Sequence, residues 1–412
     1  MKWSRDQKKA LQLLEGNGNI FLTGAAGSGK STLLKEFIKS KDLKKCPLLA
    51  STGVSAVLIG GRTFHSFFGL GILEGGVEKT VERASKNKRV KQRLKKIEAF
   101  IIDEISMLSG DTLRAAECIA RNCRDNQSPW GGVRVIAVGD FSQLPPVQVY
   151  IKEKNWAFLN EVWFDSEFKP VVLEKIHRTR DLKFIEILNE IRIGNVTPEV
   201  NEFMKKKLTK KQVSFNGTRL FARRKSVEEY NLKQLSNIDG SMHAFETNYY
   251  GAAKSIEQLK KYSPIPGMIY LKEGALVMLR QNDPKQRWVN GSLGNIVKIN
   301  DKKLMIELKT GRTVDIEKAE FTLLNAEGDS QAVAVNFPVS LAYAITIHKA
   351  QGITLDQVSI DLKDFWEPGQ AYVALSRVKS SKGLFLESWD PRAVIADSKV
   401  KMFHRELSCD RY

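Results

Sequence analysis

Residues 24–31 read Gly-Ala-Ala-Gly-Ser-Gly-Lys-Ser, and this stretch decides the fold. It follows the apolar run 19–23 and precedes the amphipathic run 32–38, so a strand, a glycine-rich loop and a helix succeed one another. The pattern G-x-x-x-x-G-K-[ST] in that setting predicts a phosphate-binding loop. Small glycines let backbone N–H groups close around phosphate oxygens at the positive end of a helix. The sequence therefore predicts a nucleoside triphosphate site.

Two side chains of this loop have distinct expected roles. Lys30 is placed to reach the β- and γ-phosphates, and Ser31 is placed to hold Mg²⁺. A chance glycine turn before a helix is the weaker interpretation, because pattern and context agree. The other residues predicted to line the nucleotide here are Gly24, Ala25, Ala26, Gly27, Ser28, Gly29 and Thr32.

Length and charge narrow the class of protein. The chain has 412 residues, enough for two or more domains with separate cores. Its 65 basic residues outnumber 47 acidic ones, giving a formal net charge of +18. Such an excess indicates a polyanionic partner, either nucleic acid or an anionic membrane surface. No run approaches the roughly 18 apolar residues of a membrane span, and the N-terminus lacks a signal-peptide core, so we expect a cytoplasmic protein.

The cysteines carry no predicted function. They are too few and too scattered for a disulfide framework, and no nearby pair completes a metal site. We expect ordinary thiols in a reducing compartment at Cys46, Cys118, Cys123 and Cys409.

Apolar strands alternate with helical stretches in two parts of the chain, which predicts parallel sheets covered on both faces. The first α/β domain is predicted at 1–63 and 99–170, and the second at 171–267 and 336–412. The run from Val394 to Phe403 is expected to form a closing helix that packs on the second domain.

Two segments interrupt this alternation. Residues 64–98 combine a glycine-rich loop with a basic helix over 86–96, and are predicted to form a small wedge-like insertion. Residues 268–335 contain short alternating strands with turns at Asn290-Gly291 and Thr310-Gly311, which predicts an inserted β-barrel.

Polar side chains follow two later strands. Asp103 and Glu104 come directly after the apolar run 100–102; we assign Asp103 to Mg²⁺ and Glu104 to the general base that polarises the attacking water. Gln143 lies in Gly139-Asp140-Phe141-Ser142-Gln143-Leu144-Pro145-Pro146-Val147 and is the candidate γ-phosphate sensor. A turn held by two prolines explains the end of that run but not its beginning.

Two arginines are candidates for stabilising the transferred phosphoryl group. Hydrolysis needs cations there, often supplied by a second domain. Taken singly, an arginine is more often a surface residue, so Arg178 and Arg377 gain weight only from the order of the motifs around them.

That order resembles superfamily 1 helicases, and within them the Pif (petite integration frequency) family of superfamily 1B DNA helicases. Pro129-Trp130-Gly131-Gly132-Val133 is similar to the family's signature region, with Trp130 where phenylalanine is usual. RecD-type helicases share the plan but look less similar around 141–147. The resemblance covers nearly the whole chain and rests on the segments 23–31, 51–56, 63–67, 102–107, 139–147, 341–355 and 370–378.

The resemblance implies an α/β fold with two RecA-like parallel-sheet motor domains, ATP in the cleft between them and a Src-homology-3-like barrel. Gln7 would read the adenine, and His177 would lie over it, where the family often has an aromatic residue. Gly352 is assigned to the nucleotide site. Arg178 and Arg377 would come from the second motor domain.

The resemblance also implies a path for single-stranded DNA. Hydroxyl and backbone N–H groups at strand ends can contact phosphates, and aromatic rings can stack on bases. Phe64, Phe67 and Phe68 fit a core interpretation equally well. The predicted path contains Thr52, Gly53, Thr63, His65, Ser66, Phe67, Thr346, His348 and Lys349.

These observations predict a monomeric motor that uses ATP and Mg²⁺ to move along single-stranded DNA and to open duplexes at single-strand/double-strand junctions. The 5′→3′ direction, G-quadruplex DNA as a substrate and a role in replication, recombination or repair come from the resemblance alone. The alternatives are an ATP-switched nucleic-acid clamp or remodeller without unwinding, and a protein-remodelling or membrane-associated ATPase. A pure switch would not need Glu104 and both arginines.

Overall fold

The computed structural model describes residues 3–71, 73, 75–146, 154–208, 215, 217–285, 287–326, 329–363 and 365–409. Val147, the last residue of the predicted sensor motif, and the side chain of Cys409 lie outside this description. Cys46, Cys118 and Cys123 are free thiols, as expected.

The strands of the described chain are β1 (Ile20–Gly24), β2 (Leu48–Ala50), β3 (Arg62–Thr63), β4 (Ala99–Asp103), β5 (Arg134–Val138), β6 (Lys169–Leu173), β7 (Thr218–Phe221), β8 (His243–Glu246), β9 (Asn248–Gly251), β10 (Met268–Leu271), β11 (Leu276–Leu279), β12 (Leu293–Ile299), β13 (Lys303–Leu308), β14 (Thr313–Glu317), β15 (Ala319–Leu324), β16 (Ser330–Asn336), β17 (Val339–Leu341), β18 (Ala344–Thr346), β19 (Val358–Asp361) and β20 (Leu384–Ser388).

The α-helices of the same residues are α1 (Arg5–Glu15), α2 (Lys30–Ile38), α3 (Gly53–Ile59), α4 (Phe64–Phe68), α5 (Gly76–Ser85), α6 (Lys88–Lys96), α7 (Gly110–Arg124), α8 (Glu161–Asp165), α9 (Leu182–Arg192), α10 (Pro198–Lys207), α11 (Arg224–Ser236), α12 (Ala253–Tyr262), α13 (Ile347–Ala350), α14 (Gln370–Leu375) and α15 (Ser398–Cys409). Among them, none has the length and apolar character needed to cross a bilayer.

The first sheet is parallel, with strand order β3-β2-β4-β5-β1-β6. Side chains of a strand alternate between the two faces of its sheet. In β1, Ile20 and Leu22 therefore enter a core shared with α1 and α2, whereas Phe21 enters a second core shared with α4 to α7. Both faces are covered, as a parallel sheet requires.

The second sheet is also parallel, with strand order β18-β7-β19-β20. Its core combines the strands with apolar side chains of α9, α10 and α14. The two parallel sheets confirm the predicted α/β class with two RecA-like units.

The sequence predicts that the second unit begins at residues 171–173, but these residues lie in the first sheet. They belong to β6, which pairs in parallel with β1 from Ile20↔Lys169 to Gly24↔Leu173. The apolar pattern identified the strand, but a strand's pattern does not state which sheet it joins, so the predicted boundary at 171 is too early.

Antiparallel sheets of five, three and two strands surround a fourth core: β14-β13-β12-β11-β17, β15-β16-β9 and β10-β8. The predicted insertion at 268–335 lies within this unit, which also recruits β8, β9 and α12 before it and β17 after it. Those short elements carry too few alternating residues to be recognised locally. The Src-homology-3-like barrel stays a prediction.

The segment 64–98, predicted as an insertion with one basic helix, begins with α4 and then forms two helices, α5 and α6, where one was expected. Asn87 separates them, and its side chain accepts hydrogen bonds from the N–H groups of Arg89 and Val90, which caps α6. Val90 and Leu94 are buried against the first sheet's core, so the basic side chains of α6 project from a packed helix.

The C-terminal helix α15 packs on the first unit, contrary to the prediction that it closes the second. Phe403 stacks on Phe158 with ring centroids 4.4 Å apart and also contacts Phe21 and Phe141. The apolar stripe predicted an amphipathic helix correctly but not its partner. The chain therefore returns from β20 to the first sheet and ties the two units together.

Candidate nucleotide site and nucleic-acid path

The predicted phosphate loop lies between β1 and α2. Gly27 and Gly29 adopt φ values of +84° and +94°, which favour glycine because it lacks a Cβ. The Lys30 ammonium donates hydrogen bonds to the carbonyl oxygens of Gly24 at 2.7 Å and Ala25 at 3.3 Å. The lysine is thus folded onto the loop whose phosphates it is predicted to reach.

The segment after β6 crosses this loop. The N–H groups of His177 and Arg178 donate to the Gly27 carbonyl oxygen at 2.8 Å and 3.3 Å. A Cβ at position 27 would lie only 2.5 Å from the Arg178 Cβ. Glycine is therefore required here for close approach, and the contact brings the predicted adenine and phosphate residues onto one side of the loop.

Gln7 and His177 meet at Gly29. A Cβ at position 29 would lie 2.7 Å from Gln7 Nε2 and 3.7 Å from His177 Cδ2. Gln7 is buried, and its Oε1 accepts the N–H of Ser4 at 3.1 Å, which fixes the amide's orientation. The structure therefore brings together the two residues that the sequence assigned to the adenine.

Glu104 follows β4 in a left-handed conformation, with φ 55° and ψ 51°. Its N–H donates to Asp103 Oδ1 at 3.1 Å, and its own Oε2 is buried without a hydrogen-bond partner among the described residues. Burial and the neighbouring Asp103 carboxylate raise the pKa of Glu104 to about 7. A carboxylate with an unpaired oxygen and a pKa near neutrality is suited to accept a proton.

Ser31 and Asp103 are the residues available for a metal ion. Ser31 lies in the first turn of α2, and Asp103 ends β4 with a pKa raised by burial. No group of three or more His, Cys, Asp or Glu side chains is arranged as a metal site in the described part of the chain. This donor set fits Mg²⁺, which commonly takes one or two protein ligands together with substrate phosphates.

The sensor loop after β5 contacts the second unit. Gln143 Nε2 lies 3.5 Å from Asp140 Oδ2, and Asp140 Oδ1 accepts a hydrogen bond from Arg192 at 2.9 Å. Burial alone raises the pKa of Asp140, but the Arg192 and Lys30 cations hold it at about 2. The sequence analysis missed Arg192, because a cation at the end of an amphipathic helix carries no distinguishing signal.

Both predicted arginines are held by the second unit. Arg178 donates to Thr354 Oγ1 at 3.1 Å and to the Ser376 carbonyl at 2.8 Å. Arg377 is 1% exposed and donates to the Val373 carbonyl at 2.7 Å. Burial lowers the pKa of both, that of Arg178 to about 10, and neither forms an ion pair within the described residues. Arg377 is buried and Arg178 half-buried, and cations held in this way without a paired anion are suited to bind phosphate.

Charge links these groups into one site. Lys30 is close enough to Asp140, Glu104, Arg192 and Arg178 for each to influence its pKa, which burial lowers. The charge of Arg377 in turn acts to lower the pKa of Glu104. The acids and cations of two separate sheets therefore converge on the phosphate loop.

Tyr372 is a further contact that the sequence analysis missed. The N–H of Ala26 donates to the Tyr372 hydroxyl at 2.8 Å, across the interface between the units. The tyrosine lies in the motif 370–378, where Arg377 is the charged residue and an uncharged side chain carries no separate signal. Gly352 has φ +76° and lies two residues before Thr354, which accepts a hydrogen bond from Arg178. The contact of Gly352 with the nucleotide stays a prediction.

Three predicted DNA-path threonines share one local geometry. Thr52, Thr63 and Thr346 each cap a helix that follows a parallel strand, and their hydroxyls accept N–H groups at 3.1, 3.1 and 3.2 Å. These caps place the following residues at the carboxyl edge of a sheet, where loops carry function.

Around these caps the other path residues differ in exposure. Gly53 is covered by the Tyr262 ring, which a Cβ would overlap. His65 and Ser66 are half-buried, and burial lowers the pKa of His65, whereas His348 and Lys349 are exposed. Partial desolvation and the Arg280 and Arg224 cations lower the pKa of Lys349 to about 8.

Phe67 is a predicted path residue whose burial favours the core alternative. It is fully buried, as are Phe64 and Phe68, and its ring packs edge-on to Phe68 at 5.2 Å. The structure therefore favours the core alternative for all three rings, because α4 turns its apolar face toward the first sheet, and DNA contact by Phe67 stays a prediction.

Comparison with known proteins identifies the family. Residues 2–202 match the model of the PIF1-like helicase family. The chain is 49% identical to the ATP-dependent DNA helicase Pif1 of Bdellovibrio bacteriovorus over 404 residues, covering 98% of this chain and 92% of that protein. It is 35% identical to the Danio rerio ATP-dependent DNA helicase PIF1, covering all of this chain and 65% of that relative's length.

Solved structures agree with the sequence relatives. The structure of Bacteroides sp Pif1 in complex with ADP-AlF4 is 28% identical and matches with a TM-score of 0.86, covering 100% of this chain and 98% of that one. Bacteroides Pif1 bound to single-stranded DNA is 29% identical, with the same coverage and a TM-score of 0.68. The chain belongs to the PIF1-like helicase family.

Proposed function

We propose that the chain is an ATP-dependent DNA helicase that moves 5′→3′ along single-stranded DNA and separates duplex strands. The observation that carries this proposal is the convergence of Lys30 and Glu104, of the first unit, with Arg178 and Arg377, whose side chains are hydrogen-bonded to the second unit. The set of cations around the phosphate loop is complete only when both units meet there. Hydrolysis is therefore coupled to the relative position of the two units. The Bdellovibrio relative, named as an ATP-dependent DNA helicase Pif1, and the Bacteroides Pif1 complex with ADP-AlF4 support it.

The hydrolytic step assigns a task to each group. Lys30 and the loop amides bind the phosphates, and Glu104 takes a proton from the attacking water. Arg178 and Arg377 stabilise the charge that builds on the transferred phosphoryl group. Ser31 and Asp103 would hold Mg²⁺, which neutralises phosphate charge when bound.

Asp140 and Arg192 supply a route from the nucleotide to the motor units. Asp140 lies on the sensor loop and contacts Gln143, and it pairs with Arg192. Arg192 ends α9, whose Ile187 and Ile191 belong to the core of the second sheet. The ion pair therefore joins the sensor loop to the unit that would move. A change in Gln143 on loss of the γ-phosphate would reach α9 through one buried contact.

The DNA-facing groups are proposed to be the capping motifs at the sheet edges. Thr52, Thr346, His348 and Lys349 offer hydroxyl, ring and ammonium contacts of the kind that bind phosphate and base without reading sequence. The net charge of +18 favours this partner. Monomeric action and G-quadruplex opening are further expectations from the family resemblance.

Single-stranded DNA is expected to stimulate ATP hydrolysis. DNA that engages both units would hold the arginines against the phosphate loop, so turnover should rise at least about 10-fold with a single-stranded oligonucleotide. The half-saturating DNA concentration should rise steeply with salt, because released counterions dominate such binding. Steady-state phosphate release at several salt concentrations measures both effects.

Blunt duplex DNA of the same length is the matched control. Equal stimulation by blunt duplex, or none by single strands, would contradict a motor that moves on one strand. A clamp that only switches affinity with ATP would bind single strands but hydrolyse slowly whether or not DNA is present.

A further inference from the structure

The hydroxyl of Tyr372 is hydrogen-bonded to a backbone N–H group of the phosphate loop. It accepts the Ala26 N–H at 2.8 Å, and the tyrosine is 3% exposed. Loop N–H groups are the donors that cradle phosphate oxygens. A side-chain oxygen from the second unit therefore sits where a phosphate oxygen would be bound.

The position of this contact within the loop indicates which phosphate is concerned. Lys30, which reaches the β- and γ-phosphates in this motif, rests on the carbonyls of Gly24 and Ala25, immediately beside Ala26. The ammonium and the hydroxyl thus gather at the same end of the loop. That end faces the second unit and its arginines, where the terminal phosphate is expected.

Tyr372 also shares a rigid element with a phosphate-binding candidate. It lies within α14, and Arg377 follows two residues after the helix ends. The Arg377 guanidinium donates to the Val373 carbonyl, next to Tyr372, so hydroxyl and guanidinium shift together. Burial, followed by the charge of Asp140, raises the pKa of Tyr372 to about 12. The hydroxyl therefore keeps its proton at neutral pH and can donate as well as accept.

We propose that the Tyr372 hydroxyl reads the γ-phosphate: it holds the Ala26 amide when no γ-phosphate is present, and donates to the γ-phosphate when ATP takes that amide. The group thereby discriminates ATP from ADP. This inference rests on the proposed function, since it assumes that the loop binds ATP. Tyr372 is thus an uncharged specificity-determining residue that acts in addition to the two arginines.

Tyr372→Phe is expected to weaken ATP binding and leave ADP binding unchanged. In the ATP-bound state the variant loses a hydrogen bond to a charged phosphate, and in the empty state it loses a hydrogen bond to the Ala26 amide. The bond to the charged group is roughly twice as strong, so the net effect is weaker ATP binding. ATP affinity should fall about 3- to 10-fold, and ADP affinity should change less than about 2-fold. Titration calorimetry with Mg²⁺ in a Glu104→Gln background measures both without consuming ATP.

Tyr343→Phe is the matched control. The Tyr343 hydroxyl accepts the Leu276 N–H at 3.0 Å, the same kind of hydroxyl–amide bond, but with β11 of the antiparallel sheets as the donor and not the phosphate loop. Its ratio of ATP to ADP affinity should equal that of the parent. Thermal unfolding of both variants shows whether the lost oxygen affects folding, and the affinity ratio does not depend on the active fraction.

The outcomes separate the inference from the proposed function. An unchanged ATP-to-ADP ratio in Tyr372→Phe overturns the inference, as does a rise in ADP affinity, which would make the hydroxyl a plain blocker of the loop. Failure of the parent itself to bind either nucleotide overturns the proposed function, and the inference with it. Hydrogen exchange gives a second test: with ADP bound, the amides of 24–29 should exchange faster in Tyr372→Phe than in Tyr343→Phe, and equal rates overturn the inference.

Discussion

Lys30→Ala is expected to reduce DNA-stimulated ATP hydrolysis by at least about 1,000-fold. Lys30 is the cation of the first unit that belongs to the phosphate loop itself, and its ammonium rests 2.7 Å from the Gly24 carbonyl oxygen. Removing it takes away the charge expected at the β- and γ-phosphates and leaves Arg178 and Arg377 to act alone. Phosphate release at saturating ATP and single-stranded DNA measures the loss.

Lys39→Ala is the control for that variant. Lys39 lies at the other end of α2, is largely exposed and pairs with Glu36 at 2.8 Å, so its loss should change turnover less than about 2-fold. A Lys30→Ala enzyme that keeps more than a tenth of the parent's turnover would show that this loop is not the hydrolytic site.

Glu104→Gln is expected to slow hydrolysis about 100- to 10,000-fold while ATP binding is retained. Glutamine keeps the size of the side chain and cannot accept the proton of the attacking water. The unpaired Oε2 of Glu104 is buried beside Asp103, and burial with that neighbour raises its pKa to about 7. Single-turnover hydrolysis and equilibrium ATP titration separate the chemical step from binding, and the variant should accumulate in an ATP- and DNA-bound state.

The pH profile gives this assignment a signature that a structural role would not produce. Below pH 7 the raised pKa leaves Glu104 protonated, so it cannot act as a base, and turnover should rise as pH increases from 6 to 8. Glu104→Gln should lack that rise. Glu98→Gln, at the exposed other end of β4 and paired with Lys45 at 2.7 Å, should keep it. Rapid turnover by Glu104→Gln would show that another group is the base.

The nucleotide site was largely predictable because its signals are local. A glycine-rich loop between a strand and a helix, and carboxylates at a strand end, are set by neighbouring residues in the chain. The structure accordingly has the phosphate loop between β1 and α2, and Glu104 directly after β4, while the roles assigned to Lys30 and Glu104 stay predictions. The two arginines are a weaker prediction, because only the order of motifs distinguishes Arg178 and Arg377 from surface cations, and their contact with phosphate stays a prediction.

What the sequence could not supply is the pairing of distant segments. The apolar face of α15 has the same pattern whichever unit it packs against, so the predicted packing on the second unit is wrong. In the structure Phe403 packs against the aromatic cluster around Phe141, in the first unit. Residues 171–173 read as a strand but not as the edge of the first sheet. Arg192 and Tyr372 gain meaning only from Asp140 and Ala26, which are far away in sequence.

Strand separation on two duplexes tests the proposed helicase most directly. One duplex carries a 5′ single-stranded tail and the other a 3′ tail of equal length and sequence composition, and the release of a labelled strand is followed with ATP. A 5′→3′ motor should open the 5′-tailed duplex and leave the 3′-tailed one closed, with Lys30→Ala inactive on both. Opening of the 3′-tailed duplex alone would contradict the direction, and failure on both despite DNA-stimulated hydrolysis would contradict unwinding itself.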